Sequence, residues 1–168
     1  SESAPFSSQR CVNWIPVVAE SAALNTRALF QPPGLKQLVN LSLGVNRGSL
    51  AMKEITYFVN GTSLLSMSAT NVITSHGTIA GSGNVSLATS GQYLVIVVPG
   101  GNAYAYNNVD NTLNQITDPD FRTSDTVVFK DGYFVFSSSD GTVFFNSLLN
   151  NPFSYDALDF GTAEISGD

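Results

Sequence analysis

The chain has 168 residues and a formal net charge of −6, with 43% hydrophobic but only 12% charged residues. That length suits one domain with a buried core, and an aromatic content of 11% argues against a disordered chain. Basic residues are few and form no patch, which argues against a protein that grips nucleic-acid phosphates.

The N-terminal region predicts neither export nor a membrane segment. Cys11 is the only cysteine, so no internal disulfide can form. Residues 1–8 lack the basic and apolar parts of a signal peptide. The longest apolar run, residues 93–98, is far shorter than the ~20 residues that a membrane helix needs. We expect a soluble protein inside a cell, or part of a particle assembled there.

Residues 1–45 are predicted to be an arm outside the repeat that follows. They contain the only tryptophan and four of the seven prolines. Residues 20–30 are the only segment suited to a short helix, which Pro32 and Pro33 would end. We expect such an arm to pack against the propeller or to pair with its last blade.

Residues 46–168 contain a repeat of forty residues. There are three turn signals, Asn60-Gly61, Gly100-Gly101 and Asp140-Gly141. The second residue of each pair is glycine, and these three glycines are spaced forty positions apart. Each pair can supply the positive φ angles of a two-residue hairpin turn. A strand-like run precedes each turn, and a large apolar residue follows each glycine at the third position, namely Leu64, Tyr104 and Phe144. We expect these three residues to occupy equivalent places.

Each repeat is predicted to contain four antiparallel strands. The second strands are preceded by turns at Lys53-Glu54, Ser90-Gly91 and Asp131-Gly132, and weaker fourth strands are expected near residues 72–79, 113–117 and 157–160. A forty-residue period of four strands is typical of a β-propeller blade. A β-sandwich is the alternative, and the regular spacing favours blades. The approximate boundaries are 46–80, 81–120 and 121–161.

Three blades do not close a propeller, since typical propellers have four to eight. The chain is therefore expected to be part of a larger propeller, or to combine with other copies. Open sheet faces and strand edges promote association, so we predict that this chain self-associates or is markedly less stable than the intact protein.

Residues 55–109 contain no Asp, Glu, Lys or Arg, whereas residues 110–168 carry ten acidic and two basic residues. Because interface cores are poor in charge, the uncharged stretch is a candidate interface, and Leu64 and Thr78 are chosen to test it. The other interpretation is that two blades simply expose Ser, Thr and Asn.

Several segments, taken in order, resemble a known family. They are RCVNWIPVVAE at residues 10–20, ALFQPPGL at residues 28–35, Asn46-Arg47-Gly48, AGSGNVSLA at residues 80–88, and FKDGYFVFSSSDGTVFFNSL at residues 129–148. Their order and spacing are similar to the N-terminal part of the packaged DNA stabilisation proteins, which are tail accessory factors of short-tailed bacteriophages.

The resemblance implies a virion structural protein with a propeller-like body. Members of that family assemble below the portal, close the DNA channel and later form part of the ejection conduit. The partners implied are further copies and neighbouring tail or portal proteins, in a virion assembled in the bacterial host cytoplasm. The resemblance supplies no catalytic residues.

No pattern points to a catalytic, cofactor or metal site. His76 is the only histidine and is interpreted as a turn or strand-edge residue, and Cys11 as a small hydrophobic residue. Asp118 and Asp120, with Asp110 and Asp125, contain the oxygens that Ca²⁺ prefers but lack the spacing of a calcium loop. We therefore predict that the protein is not an enzyme. A carbohydrate-binding propeller is the alternative function, and a propeller hydrolase is disfavoured by the lack of a catalytic motif.

Overall fold

The computed structural model describes residues 14–18, 27–34, 36–41 and 43–162. The chain forms two compact units, Ser1–Leu38 and Val39–Asp168. The predicted end of the arm, residue 45, falls inside the second unit, just before its first strand.

In the first unit, β1 (Ile15–Val18) and β2 (Arg27–Phe30) pair as antiparallel strands, with Ile15 opposite Phe30. The expectation of a helix over residues 20–30 is wrong for residues 27–30, which are strand; residues 20–26 lie outside the described part. Pairing with β1 gives the β2 backbone its hydrogen-bond partners, and this tertiary pairing overrides a local helix preference.

The second unit contains three antiparallel four-stranded sheets. The first sheet comprises β3 (Asn46–Met52), β4 (Ile55–Asn60), β5 (Ser63–Met67) and β6 (Ile73–Thr78). The second comprises β7 (Ser86–Thr89), β8 (Tyr93–Val97), β9 (Ala103–Asn107) and β10 (Thr112–Gln115). The third comprises β11 (Ser124–Lys130), β12 (Tyr133–Ser138), β13 (Val143–Leu148) and β14 (Asn151–Thr162).

In every sheet the strands follow one another in chain order, and the first strands β3, β7 and β11 lie side by side. This is the arrangement of propeller blades. The prediction of an all-β chain with antiparallel four-stranded blades is confirmed. The sheets do not close into a ring, and the described residues include no helix, hence none able to span a membrane.

Two-residue turns with positive φ join the first and second strands of two sheets. Lys53 and Glu54 have φ values of 50° and 65°, and Asp131 and Gly132 have values of 51° and 90°. Positive φ at both central residues gives the turn a twist that matches that of the flanking strands. The four residues therefore set the register of their hairpins.

The turns between second and third strands differ in length. In the first sheet Asn60 pairs with Ser63, so Gly61 and Thr62 form the turn. Val98 N donates to Asn102 O in the second sheet, and in the third sheet Phe136 pairs with Phe145 across a longer connection. Only the first of the three turns has two residues, and they are Gly61 and Thr62, not the predicted Asn60 and Gly61.

These unequal turns change which face a side chain occupies. Leu64, Tyr104 and Phe144 are each the second residue of their strand. Leu64 points toward the following sheet and Phe144 points away from the preceding one, where it is 51% exposed, whereas Tyr104 points back toward the first sheet. A register shift of one residue moves a side chain to the other face of a sheet. The expectation that the three side chains are equivalent is therefore wrong.

The core consists of two apolar layers, one on each side of the second sheet. Leu94, Ile96, Tyr104 and Tyr106 pack toward the first sheet. Their alternating neighbours along β8 and β9 pack toward the third sheet: Val95, Val97, Ala103 and Ala105. A sheet covered on both faces needs continuous apolar strands, which explains the unbroken run at residues 93–98.

Candidate functional site

The first and second sheets come into close contact where β3 approaches the chain leading into β7. Val85 N donates a 2.9 Å hydrogen bond to Arg47 O. A Cβ added to Gly48 would lie 2.9 Å from Val85 Cγ2 and 3.1 Å from Val85 O. Only glycine allows this approach without displacing Val85, so Gly48 fixes the distance between the two sheets at this point.

Arg47 crosslinks the segments around this contact. Its Nε donates to Gly83 O at 2.7 Å, and its Nη1 donates to Gly61 O and Ile79 O, each at 3.1 Å. The residue is only 4% exposed, and desolvation lowers the pKa of its guanidinium from the ordinary value. The five N–H donors of arginine suit several carbonyl acceptors at once. Arg47 thus ties the Gly61 turn to the connection between β6 and β7.

A second contact between these sheets is aromatic. The rings of Tyr57 and Tyr106 lie 5.4 Å apart, and the His76 ring lies 5.6 Å from Tyr57 and 4.6 Å from Tyr106. Tyr57 Oη donates to Asn108 Oδ1 at 3.1 Å, a bond from the first sheet to the loop after β9. Burial and the neighbouring Tyr57 raise the pKa of Tyr106 to about 12. The phenol of Tyr106 therefore stays neutral at ordinary pH.

His76 reaches this cluster because β6 is irregular. The pairing of β5 with β6 runs from Leu65 opposite Ser75 to Leu64 opposite Gly77, which leaves His76 as an extra residue. A bulge of this kind redirects a side chain. Gly77 has a φ of 136°, and a Cβ there would lie 2.9 Å from Leu113 Cδ2, so the bulge requires glycine next to the histidine. The predicted strand-edge histidine does lie on an edge strand.

The three sequence-predicted turn glycines all lie between the second and third strands of their sheets. Gly61 and Gly141 have positive φ values of 57° and 71°. In the second sheet the positive φ, 66°, belongs to Gly100 and not to Gly101. A Cβ on Gly61 would also collide with Leu43 O, so this glycine is needed for space as well as for conformation.

Of the two candidate interface residues, the structure exposes one. Leu64 has 0% exposure and packs between the first and second sheets, whereas Thr78, at the end of β6, is exposed. Leu64 is therefore a core residue of the chain itself, because β5 turns it toward the second sheet. The interface hypothesis rests on Thr78 alone.

The aspartates considered for calcium have separate structural roles. Asp118 Oδ1 accepts from Asp120 N, Asp110 Oδ2 accepts from Asn107 Nδ2, and Asp125 Oδ1 accepts from Ser139 Oγ. Across the described residues no three His, Cys, Asp or Glu side chains come together as metal ligands would. Cys11 lies outside those residues.

One more carboxylate is fixed by its neighbours. Asp140 Oδ1 accepts hydrogen bonds from the Ser138 hydroxyl and from the backbone and hydroxyl of Thr142. These donors hold the pKa of Asp140 at about 2. The side chain shapes the turn before β13 and stays ionised across the ordinary pH range.

The third sheet has an outer face with large apolar side chains. Phe144, Val128 and Tyr133 are exposed there, and Lys130, Asp131, Val135, Asn146 and Asp159 line a shallow depression with Tyr133. The Phe144 ring also covers Gly161, where a Cβ would collide with it.

Comparison with known proteins identifies the family. The family model described as "Bacteriophage P22 Gp10, beta-propeller" matches residues 1–168, the whole chain. The chain belongs to this phage stabilisation family. The resemblance noted in the sequence is confirmed, and the chain is a phage structural protein associated with the stabilisation of packaged DNA. Membership implies association with the virion, and the family is one of structural proteins not known as enzymes.

The other comparisons add little. No curated protein matches the chain. One chain from a solved structure titled "Crystal Structure of Mitotic Checkpoint Complex" is similar, with a TM-score of 0.48 and 11% identity. The match covers 82% of the present chain and 47% of that one.

Proposed function

We propose that this protein is a steric plug and structural joint in the portal-proximal part of a short-tailed phage tail. It would close the DNA channel, help to retain the packaged DNA and later form part of the ejection conduit. The observation that supports this most directly is that basic side chains contact other groups of the protein itself. The proposal assigns no catalytic residue.

The basic side chains of the second unit are far apart in the sequence, and most of them contact other groups of the protein. Arg47 is buried on backbone carbonyls. The guanidinium carbon of Arg122 lies 4.7 Å from the centre of the Phe160 ring, and Lys130 Nζ lies 3.5 Å from Asp131 Oδ2. Binding that neutralises several phosphates needs clustered, accessible Lys or Arg. This arrangement therefore supports retention by blocking the channel, without a grip on DNA.

The acidic residues support the same proposal. Residues 110–168 carry ten acidic and two basic residues, and Asp120, Asp131 and Asp156 are exposed. Such a surface repels a polyanion over roughly a Debye length, ~8 Å at physiological salt. A conduit through which DNA must slide benefits from walls to which DNA does not adhere.

The partners proposed are further copies of the protein and neighbouring tail or portal proteins, in a virion assembled in the host cytoplasm. The exposed apolar face of the third sheet and the uncharged surface around Thr78 are the regions that would meet them. Exposed apolar patches commonly mark protein contacts.

Gel-shift titration with double-stranded DNA at low salt tests the plug proposal. We expect no shift for the wild-type chain. The matched control is Asp120→Lys combined with Asp131→Lys, which adds positive charge at exposed positions and should bind DNA weakly in a salt-sensitive manner. Tight, salt-sensitive binding by the wild type would contradict the proposal and restore a DNA-clamping role. A glycan-binding screen separates the proposal from the carbohydrate-binding alternative.

A further inference from the structure

The ring of His76 lies between the first and second sheets and contacts side chains of both. Its Nε2 lies 2.8 Å from Ser66 Oγ of β5. The ring packs on Tyr106 of β9 in the second sheet and on Tyr57 of β4 in the first. Because the ring touches both sheets, a change in its charge acts on the contact between them.

The local backbone is shaped for this placement. The bulge in β6 and the positive φ of Gly77 turn the histidine toward the second sheet, and Leu113 of β10 fills the space beside Gly77. Bulges are often found where a side chain must be re-aimed for a specific role. A regular β6 would not leave His76 as an unpaired extra residue.

We propose that His76 forms a pH-sensitive packing contact between the first and second sheets. When the imidazole is neutral the two sheets stay packed, and when it is protonated the contact loosens. The device is independent of DNA binding, and it concerns the chain's own architecture.

The groups around His76 favour the neutral ring. The titratable side chains that face it in the described structure are the phenols of Tyr57 and Tyr106; β5 contributes the Ser66 hydroxyl and β10 contributes Leu113. The carboxylate of the adjoining loop, Asp110, accepts a hydrogen bond from Asn107 Nδ2. The protonated ring would thus be half-buried against aromatic and aliphatic groups of the described structure, without an ionised partner among them.

The sign of the effect follows from the burial. Desolvation lowers the pKa of His76 below its ordinary value of 6.5. The unfolded chain then binds more protons than the folded one as the pH falls through 6.5, so stability is lost in that direction. Each unit by which the pKa is lowered raises the opening equilibrium constant about tenfold in acid. The attraction of an imidazolium to the two tyrosine rings would act in the opposite sense.

The experiment uses the fact that the chain has a single histidine. The imidazole resonances are followed by NMR from about pH 8 to pH 4.5, which brackets the ordinary histidine pKa. Urea unfolding midpoints of the wild type and of His76→Gln are measured at about pH 7.5 and pH 5.5, above the range where ordinary carboxylates titrate. His76→Gln keeps all of the carboxylates and a hydrogen-bonding group, but it cannot titrate.

We expect a histidine pKa below 6.5, and a midpoint that falls on acidification more in the wild type than in His76→Gln. Equal shifts in the two proteins, or a pKa at or above 6.5, would overturn the proposal. If His76→Gln does not fold, amide hydrogen exchange of the wild type replaces the comparison. Exchange in β6 must then accelerate toward pH 5.5, after correction for intrinsic rates, relative to β12 and β13; a uniform response would overturn the proposal equally.

Discussion

Arg47 keeps a permanent positive charge in the interior, and within the described part of the chain it forms no ion pair with a carboxylate. Its hydrogen bonds go to the carbonyls of Gly61, Ile79 and Gly83, which belong to different turns and connections. Charged donors form stronger hydrogen bonds than neutral ones, and each carbonyl that lost its donor would be left short of a partner. The side chain therefore holds together backbone that the strand ladders do not reach.

Replacing Arg47 should be costly. Arg47→Met keeps much of the volume and removes the donors, and leaving buried acceptors unpaired costs about 1–3 kcal/mol each. We expect a loss of about 2–4 kcal/mol in the free energy of unfolding. The measurement is the urea unfolding midpoint.

Lys130→Met is the matched control for Arg47→Met. Lys130 is exposed and its pairing with Asp131 is a surface ion pair, so the change should stay within about 0.5 kcal/mol. Equal effects of the two substitutions would show that the buried network of Arg47 does not stabilise the fold.

At this scale the sequence predicts some of the turn residues but not the buried contacts. Asp131-Gly132 was identified from residue types, because positive φ restricts which residues a turn accepts. Residue type alone does not separate Gly100 from Gly101, because both are glycine, and Arg47 stands out in the sequence only as part of a family motif. An isolated arginine beside a glycine, ahead of a long uncharged stretch, is the signal that could have suggested a buried cation.

The second sheet explains part of the missing charge in residues 55–109. Both of its faces are covered, by the first sheet on one side and the third on the other. β9 is buried at every position. A charged side chain in β8 or β9 would have to be buried without a partner, which is strongly unfavourable. This internal packing is a third explanation, beside the two that the sequence suggested.

The two interface variants should now behave differently. Leu64→Lys puts a charge into the fully buried layer between the first and second sheets, and we expect it to abolish folding or cost more than about 4 kcal/mol. Thr78→Glu lies at an exposed position and should keep the fold. Circular dichroism and thermal unfolding measure both.

Only Thr78→Glu bears on assembly. A folded Thr78→Glu protein that no longer assembles with its neighbours would support the uncharged surface as an interface. A folded variant with unchanged assembly would remove that surface from the proposal.

At the scale of elements, the sequence predicts the strands of each repeat but not the directions in which their side chains point. The four strands per repeat followed from turn pairs and apolar runs, and the weak fourth strands appear as β6, β10 and β14. The equivalence of Leu64, Tyr104 and Phe144 failed because it assumed equal turn lengths. A period of forty residues fixes where repeats recur, but an insertion of one residue in one turn and its deletion elsewhere leave that period unchanged.

The third sheet places neighbouring residues in opposite environments. Phe145 packs in the core beside Phe136, with ring centroids 5.2 Å apart and nearly parallel planes, whereas Phe144 is exposed. In the first and second sheets, the corresponding outer faces are covered by the next sheet. The exposed face of the third sheet is thus the surface on which the stacking of sheets can continue.

A matched pair of variants tests self-association through this face. We expect the wild type to associate as its concentration rises, and Phe144→Lys to reduce association while the fold remains. Phe145→Lys should unfold the third sheet, since it buries a charge in the aromatic cluster. Sedimentation velocity over a range of concentrations measures the first effect, and circular dichroism the second. A wild type that stays monomeric at high concentration would contradict the prediction.

At the scale of the whole molecule, function was predictable only through resemblance. The order of the segments around Arg47-Gly48, residues 80–88 and residues 129–148 indicated the family, and the family model confirms it. Composition and spacing alone indicated a propeller without a chemical site. Nothing in a single sequence specifies which surface meets which partner, because those surfaces are optimised against molecules that the sequence does not contain.

The doubly covered second sheet also affects how the chain folds as it is made. β8 and β9 are synthesised well before β12 and β13, whose aromatic residues will cover Val95, Val97, Ala103 and Ala105. At roughly 5–20 residues per second, the ribosome needs a few seconds to supply them. During that interval an uncharged, β-prone apolar surface is exposed to other nascent chains, with no lysine or glutamate to discourage strand pairing. The period of greatest risk for misassembly would therefore lie within translation, when the first two sheets exist and the third does not.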